Sequence, residues 1–334
     1  MKALPLSRRE VLVLGALPAA GILGWGFRKY AESWTDDSAD DWFSDPSRIR
    51  LPDKPEFHRF QRLAQALSPL FSKLPAPQPE DWLAKHAEEG QSFARFVFEM
   101  PERLNDRYRR IGLVPLGDLT DTQLRLLADT AEFLERFYGF QVETLRPVSL
   151  ADLPENAQRV RDSGERQLRT GHFLNHVLPP LCQDDMAAVV ALTNVDVWDG
   201  NYRWLFGQGS HPQRACVCSV ARFGDVDSGA VDYATCLRRT VGLAVHETGH
   251  VFGMPHCIAW SCRMNGSNSL DESDRRPLEY CPECLPKIWW TCDIDPARRF
   301  SRLLEFAREH HLHAEEKLWQ EAGTLLAATE KAGS

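Results

Sequence analysis

Residues 246 to 256 read His-Glu-Thr-Gly-His-Val-Phe-Gly-Met-Pro-His, a stretch holding three imidazoles and one carboxylate. On a helix, His246 and His250 stand four residues apart and share a face, so two ring nitrogens can reach one tetrahedral metal ion. Glu247 lies beside them, placed to take a proton from a water that zinc has made acidic. Gly253 has no Cβ and can adopt positive φ, which would end the helix and turn the chain back so that His256 supplies a third ligand. Three protein ligands leave a coordination position free for chemistry, the mark of a catalytic zinc rather than a structural one.

Thiols follow at once: Cys257, Cys262 after four residues, and a Cys-x-x-Cys pair at Cys281 and Cys284. Four thiolates from two close pairs suit a closed, structural zinc. Two disulfides are the competing reading, open to an exported chain, although Cys-x-x-Cys loops are strained as disulfides. Met264 lies between the pairs and, taken alone, reads as ordinary core.

The run from His246 to Cys284, with Met264, Asn265-Gly266-Ser267-Asn268 and Asp274-Arg275-Arg276-Pro277, resembles the archaemetzincin family. Leu192-Thr193-Asn194-Val195-Asp196, Trp204-Leu205-Phe206-Gly207 and Ser219-Val220-Ala221-Arg222-Phe223 extend the likeness, and Pro79-Glu80-Asp81-Trp82-Leu83 resembles the amino-terminal region of animal members. Coverage runs over about residues 75 to 325 and is most specific from the helix to Cys284.

The resemblance implies an α/β (α+β) fold: a metzincin-like catalytic domain with a mixed twisted sheet, an active-site zinc helix and a four-cysteine zinc loop. It implies a zinc-dependent peptidase carrying two Zn2+, with Glu247 as general base, a catalytic ion on His246, His250 and His256, and a structural ion on Cys257, Cys262, Cys281 and Cys284. Met264 would form the floor beneath the histidine rings. Some members lack the third histidine; His256 is present here. Some metzincins place a tyrosine two residues beyond the methionine, where this chain has Gly266, so no oxyanion stabiliser is named. The alternative function is a non-catalytic, zinc-stabilised module binding peptides or cell-envelope proteins on the same scaffold. A third reading makes the four-cysteine unit an interaction or redox module.

At the amino terminus, Ser7-Arg8-Arg9-Glu10-Val11-Leu12 is a twin-arginine signature followed by an apolar run from Val11 to Phe27. Residues 1 to 27 therefore read as an export signal or a membrane anchor, placing the protein in the periplasm or on the outer face of the cytoplasmic membrane. The run is at the short limit for a span, and no clear cleavage site precedes Arg28 and Lys29. Twin-arginine export carries folded proteins, which suits cysteines that must meet zinc while reduced.

The 334 residues, 43% of them hydrophobic, can bury one sizeable core plus an extension. Formal charge is −8; deleting residues 1 to 26 removes Lys2, Arg8 and Arg9 against Glu10 and leaves −10. An acidic chain with no basic face is a poor partner for nucleic acid; a peptide or protein substrate is what the resemblance implies. Residues 28 to 55 read as a linker, 56 to 105 as a helical extension and 106 to 330 as the catalytic domain, with the four-cysteine zinc loop over 257 to 284.

Spacing predicts helices over Glu56 to Leu74 and Ser92 to Glu99, a strand over Ile111 to Leu116, a helix from Asp121 to Tyr138 closed by Gly139, and a strand over Gln141 to Leu145. Further strands are expected over Ala187 to Thr193 and Arg214 to Val220, the second alternating as an exposed edge would. Cys216 to Val220 is the expected upper rim of the cleft, either open to a substrate backbone or covered by the extension. Helices from about Ala234, from Ala297 after Asp295-Pro296, and from Ala314 to Thr329 complete the pattern, the last two packing behind the cleft.

His172 and His176 share a face but have no acidic or thiol neighbour on it, and read as surface or packing residues. His310, His311 and His313 sit at a helix end, where positive charge complements the dipole. Cys182, Cys216, Cys218, Cys236 and Cys292 are an odd number and leave at least one free thiol in a monomer; buried free thiols are the default, with one or two disulfides open.

Overall fold

The computed structural model describes residues 54–100 and 103–333. The twin-arginine signature and apolar run, and all but the last two residues of the expected linker, lie outside the described residues. No helix among the described residues is long and apolar enough to cross a membrane.

In chain order the main elements are α1 (Pro55–Ala66), α2 (Phe93–Glu99), β1 (Arg110–Pro115), α3 (Asp121–Tyr138), β2 (Gln141–Thr144), β3 (Gln158–Val160), β4 (Arg166–Arg169), β5 (Met186–Thr193), β6 (Asp196–Trp198), β7 (Gly207–Ser210), β8 (Ala215–Ser219), α4 (Tyr233–Val251), α5 (Leu285–Cys292), α6 (Pro296–Glu309) and α7 (His313–Gly333). This is the mixed α/β architecture the resemblance implied. α3 falls on the expected residues because its ends are chemical. Thr120 and Gln123 form a reciprocal capping box, and Gly139 closes the helix.

The larger sheet has the order β2-β1-β5-β8-β7. Its first four strands are parallel, and β7 pairs antiparallel to β8 at the edge. Its two faces bury different cores. Ile111, Leu113, Val190, Leu192, Cys216 and Cys218 face the core shared with α3 and α4, while Val114, Met186, Val189, Ala191 and Val217 face a smaller core with Phe173, Leu174 and Leu178.

Two-sided burial corrects one expectation. β8 is not an exposed edge: every residue of it is buried and it lies between β5 and β7. The edge strand is β7, whose sequence Gly-Gln-Gly-Ser has no apolar signal. A second, three-stranded sheet, β3-β4-β6, and helix α5 were not anticipated.

α1 does pack on the rest of the fold. Phe57 stacks on Phe93 with centroids 4.6 Å apart and meets Trp290 of α5 edge-on at 6.2 Å. Behind α4, Arg299 of α6 forms a fully buried ion pair with Glu279 at 2.8 Å, and Trp319 of α7 donates to the same carboxylate at 2.9 Å. The C-terminal helices are thereby tied to the segment that follows Met264.

Candidate active site

The catalytic block starts with α4. Asp232 caps its N-terminus by accepting from the Thr235 amide, and the helix carries His246, Glu247 and His250 to its end. Gly253 then sits at φ +82°, the left-handed turn that the reversal requires. A Cβ there would also press within 3.0 Å of Met100. The turn brings His256 back to the helix.

The three rings converge, with centroids 4.7 Å (His246 to His250), 5.2 Å (His246 to His256) and 4.9 Å (His250 to His256) apart. Each Nδ1 faces an oxygen acceptor: the Arg263 carbonyl at 2.8 Å for His246, the Met254 carbonyl at 2.8 Å for His250 and the Glu88 carboxylate at 2.7 Å for His256. A carbonyl can only accept, so Nδ1 carries the proton in His246 and His250, and Nε2 keeps its lone pair. The Nε2 atoms of His246 and His250 are 3.1 Å apart, lone pair toward lone pair, an arrangement that suits a shared cation. Burial keeps both imidazoles neutral, pushing His246 well below the usual histidine range and His250 down to about 3. Neutral imidazoles at this spacing fit a zinc ion.

Glu247 is 5% exposed, and burial pushes its carboxyl up to about 8, against the pull of the Gly209 amide. β7 lies directly over it. The Phe206 carbonyl accepts from the Ser219 amide, so in this antiparallel register the amides and carbonyls of Gly207 and Gly209 turn away from β8. A Cβ on Gly209 would collide with the Glu247 carbonyl and stand 2.9 Å from His250 Cβ. Both glycines matter to the site, and spacing alone did not mark them, though a Gly-x-Gly strand is the signal of close backbone approach.

Below the rings, Met264 is fully buried, and its Sδ would lie 2.5 Å from a Cβ placed on Gly249. The Tyr138 and Tyr280 hydroxyls, 2.6 Å apart, both reach the Val245 carbonyl of α4 and fix the helix from underneath.

The four cysteines converge too, their sulfurs mutually within 4.8 Å and buried, with Cys257 and Cys281 at 3.6 Å. No disulfide joins them. Hydrogen bonds from Cys262, Cys281 and Cys284 drive Cys257 far below the usual thiol range, while burial pushes Cys262 up and the bond to Cys257 pushes Cys284 up. A dication would let all four be thiolates, so this donor set fits a tetrahedral structural zinc. The other five cysteines are free thiols, four of them buried.

The segment between α1 and α2 crosses the site as a strap. Trp82 covers Gly266, where a Cβ would strike its indole, and its ring meets His256 edge-on at 5.1 Å. It stacks on His86 at 4.0 Å and lies parallel to Tyr202 at 6.5 Å. Position 266, the second beyond Met264, is thus covered by a tryptophan from another part of the chain. The strap covers the His256 side and leaves β7 unpaired on its outer edge among the described residues.

His172 and His176 lie away from this constellation, 5.4 Å apart, with His176 exposed. His310 stands near Asp129 and Glu132, and Asp129 also accepts from the Tyr233 hydroxyl.

Residues 182–289 match the model of Peptidase family M54. The chain is 28% identical over 282 residues to a Mus musculus protein named Archaemetzincin-2, covering 72% of this chain and 76% of that one. It is 31% identical over 185 residues to the Archaemetzincin of Thermococcus kodakarensis, covering 54% of this chain and 95% of the relative. The crystal structure of Archaemetzincin from Methanopyrus kandleri superposes with a TM-score of 0.46 at 26% identity, over 56% of this chain and 97% of that one. A helix-borne histidine site beneath an edge strand is the design of a zinc metallopeptidase, a hydrolase. Within that class, the chain belongs to the archaemetzincin family.

Proposed function

We propose that this peptidase carries two zinc ions, a catalytic one on His246, His250 and His256 and a structural one on Cys257, Cys262, Cys281 and Cys284, and cuts peptide bonds with Glu247 as general base. The observation that carries the reading is the meeting of three inward imidazoles with a buried carboxylate under an unpaired strand edge. Bound there, zinc supplies a Lewis acid that acidifies water and polarises a scissile carbonyl.

The protein's own groups do the rest. The outward amide of Gly207 and the outward carbonyls of Gly207 and Gly209 pair with an extended peptide and hold its backbone over the histidines. Glu247, held by the Gly209 amide, takes the proton of the attacking water and delivers it to the leaving amine. Tyr138 and Tyr280 keep α4 from shifting as charge develops.

Glu247→Gln tests the assignment. The variant should keep both zincs and lose hydrolysis across a peptide library, and full turnover by it would remove Glu247 from its role. Binding of peptides without cleavage by the wild type would favour the non-catalytic alternative.

The twin-arginine signature Ser7-Arg8-Arg9 supports export, with the mature protein periplasmic or tethered on the outer face of the cytoplasmic membrane. Fractionation together with the mass of the mature amino terminus checks this, and cytoplasmic protein bearing Met1 would refute it.

A further inference from the structure

The acceptors of the three rings differ in kind. His246 and His250 donate to carbonyls of residues 263 and 254, inside the catalytic block itself. His256 instead faces a carboxylate that stands 168 positions away in sequence, on the strap. Glu88 Oε1 lies 2.7 Å from His256 Nδ1 and also accepts from Trp82 Nε1 at 2.9 Å, so the indole that covers Gly266 aims the carboxylate as well. Glu88 Oε2 is buried and has no hydrogen-bond partner. A buried, half-satisfied carboxylate destabilises a fold unless positive charge stands nearby, and the histidine cluster is where a dication would be.

The strap is held at both ends. Asp81 pairs with Arg275 at 2.6 Å, and the Trp82 amide donates to Glu272 at 3.0 Å. Beyond Glu88, the Phe93 amide donates to Glu283 at 2.6 Å and Lys287 donates to the Gln91 carbonyl at 2.5 Å.

We infer that Glu88 is the positioning residue of the third zinc ligand, fixing the His256 ring with its Nε2 inward, so that the amino-terminal extension is a working part of the metal centre. This rests on the reading that the three histidines hold zinc. A carboxylate behind a metal-bound imidazole orients the ring and makes it a better donor, and loss of such partners typically weakens metal binding about 10- to 100-fold.

The test uses the full-length protein and competition against a chromophoric zinc chelator, with Glu88→Ala, Glu88→Gln and Arg275→Ala beside the wild type. Arg275→Ala loosens the same strap without touching His256. The expected result is two zincs in the wild type, one of them about 10- to 100-fold weaker in Glu88→Ala with the cysteine-held ion unchanged, and a smaller loss in Glu88→Gln, whose amide oxygen still accepts from the imidazole. Equal affinity in Glu88→Ala and wild type overturns the inference. So does an equal loss in all three variants, which would mean that the strap acts only by packing. A wild type that binds no zinc at the histidines overturns the zinc-site reading itself, and the inference with it.

Discussion

His256 and Cys257 are adjacent in sequence, yet their side chains enter sites of opposite character. The imidazoles are half-buried and open on the side facing β7; the thiols are buried and close on one another from every direction. A site that binds substrate needs a free position and a rigid frame, whereas a site that holds a loop needs every position filled. The two share one backbone turn. The cysteine loop therefore sets where His256 can be, and damage to it should reach the catalytic centre while the reverse should not occur.

The strongest way to break this comparison is Cys281→Ser. Structural zinc contributes about 10 kcal/mol or more in small zinc domains, comparable with the whole stability of a typical fold. Thermal unfolding should fall by at least about 10 °C, or the protein should aggregate, and the histidine site should lose zinc as well. His250→Ala should lose turnover and one zinc yet melt within about 3 °C of the wild type. Similar melting losses in both would erase the distinction.

Next in size is Glu279→Gln, which leaves Arg299 charged and half-paired in the core. Removing one partner of a buried pair costs about 3–5 kcal/mol. Because Arg299 and Trp319 join the C-terminal helices to the segment behind Met264, the loss should appear in the urea midpoint, with kcat nearly unchanged in the folded fraction.

Gly209→Ala shifts the blow to catalysis. The new methyl cannot share space with the Glu247 carbonyl, so β7 must lift from α4. A displacement near 1 Å in a reacting constellation costs about 10²-fold, so kcat/KM should drop by about that factor, or about 2.7 kcal/mol, while zinc content holds. Unchanged kcat/KM would mean that β7 is not the substrate rim.

Much of this was legible in the sequence, for local reasons. His246, His250, Gly253 and His256 are bound to each other by helix and turn geometry, and Thr120, Gln123 and Gly139 announce the ends of α3. What was illegible depends on layers and long separations. β8 alternates Ala, Cys, Val, Cys, Ser, a pattern that looks half-exposed, but its two faces enter two separate cores. β7 is polar and glycine-rich because it must sit against α4, and such a strand carries no periodic apolar mark. Glu88 and Trp82 reach the site only through the fold of the strap, and nothing in their neighbourhood ties them to His256.

The smallest expected effect probes that last link. Trp82→Phe keeps an aromatic ring over Gly266 and removes the indole donor that aims Glu88. A net hydrogen bond is worth about 1 kcal/mol, which converts to about a fivefold weakening of zinc at the histidines if the whole of it is transmitted through Glu88 to His256. The cysteine-held zinc and the melting temperature should hardly move, since the ring still fills its space. In a double variant, Trp82→Phe with Glu88→Ala, the two losses should fall short of adding, because the indole acts through the carboxylate. Full additivity would show that Trp82 supports the ring of His256 by contact alone, and would detach the tryptophan from the metal centre while leaving Glu88 in it.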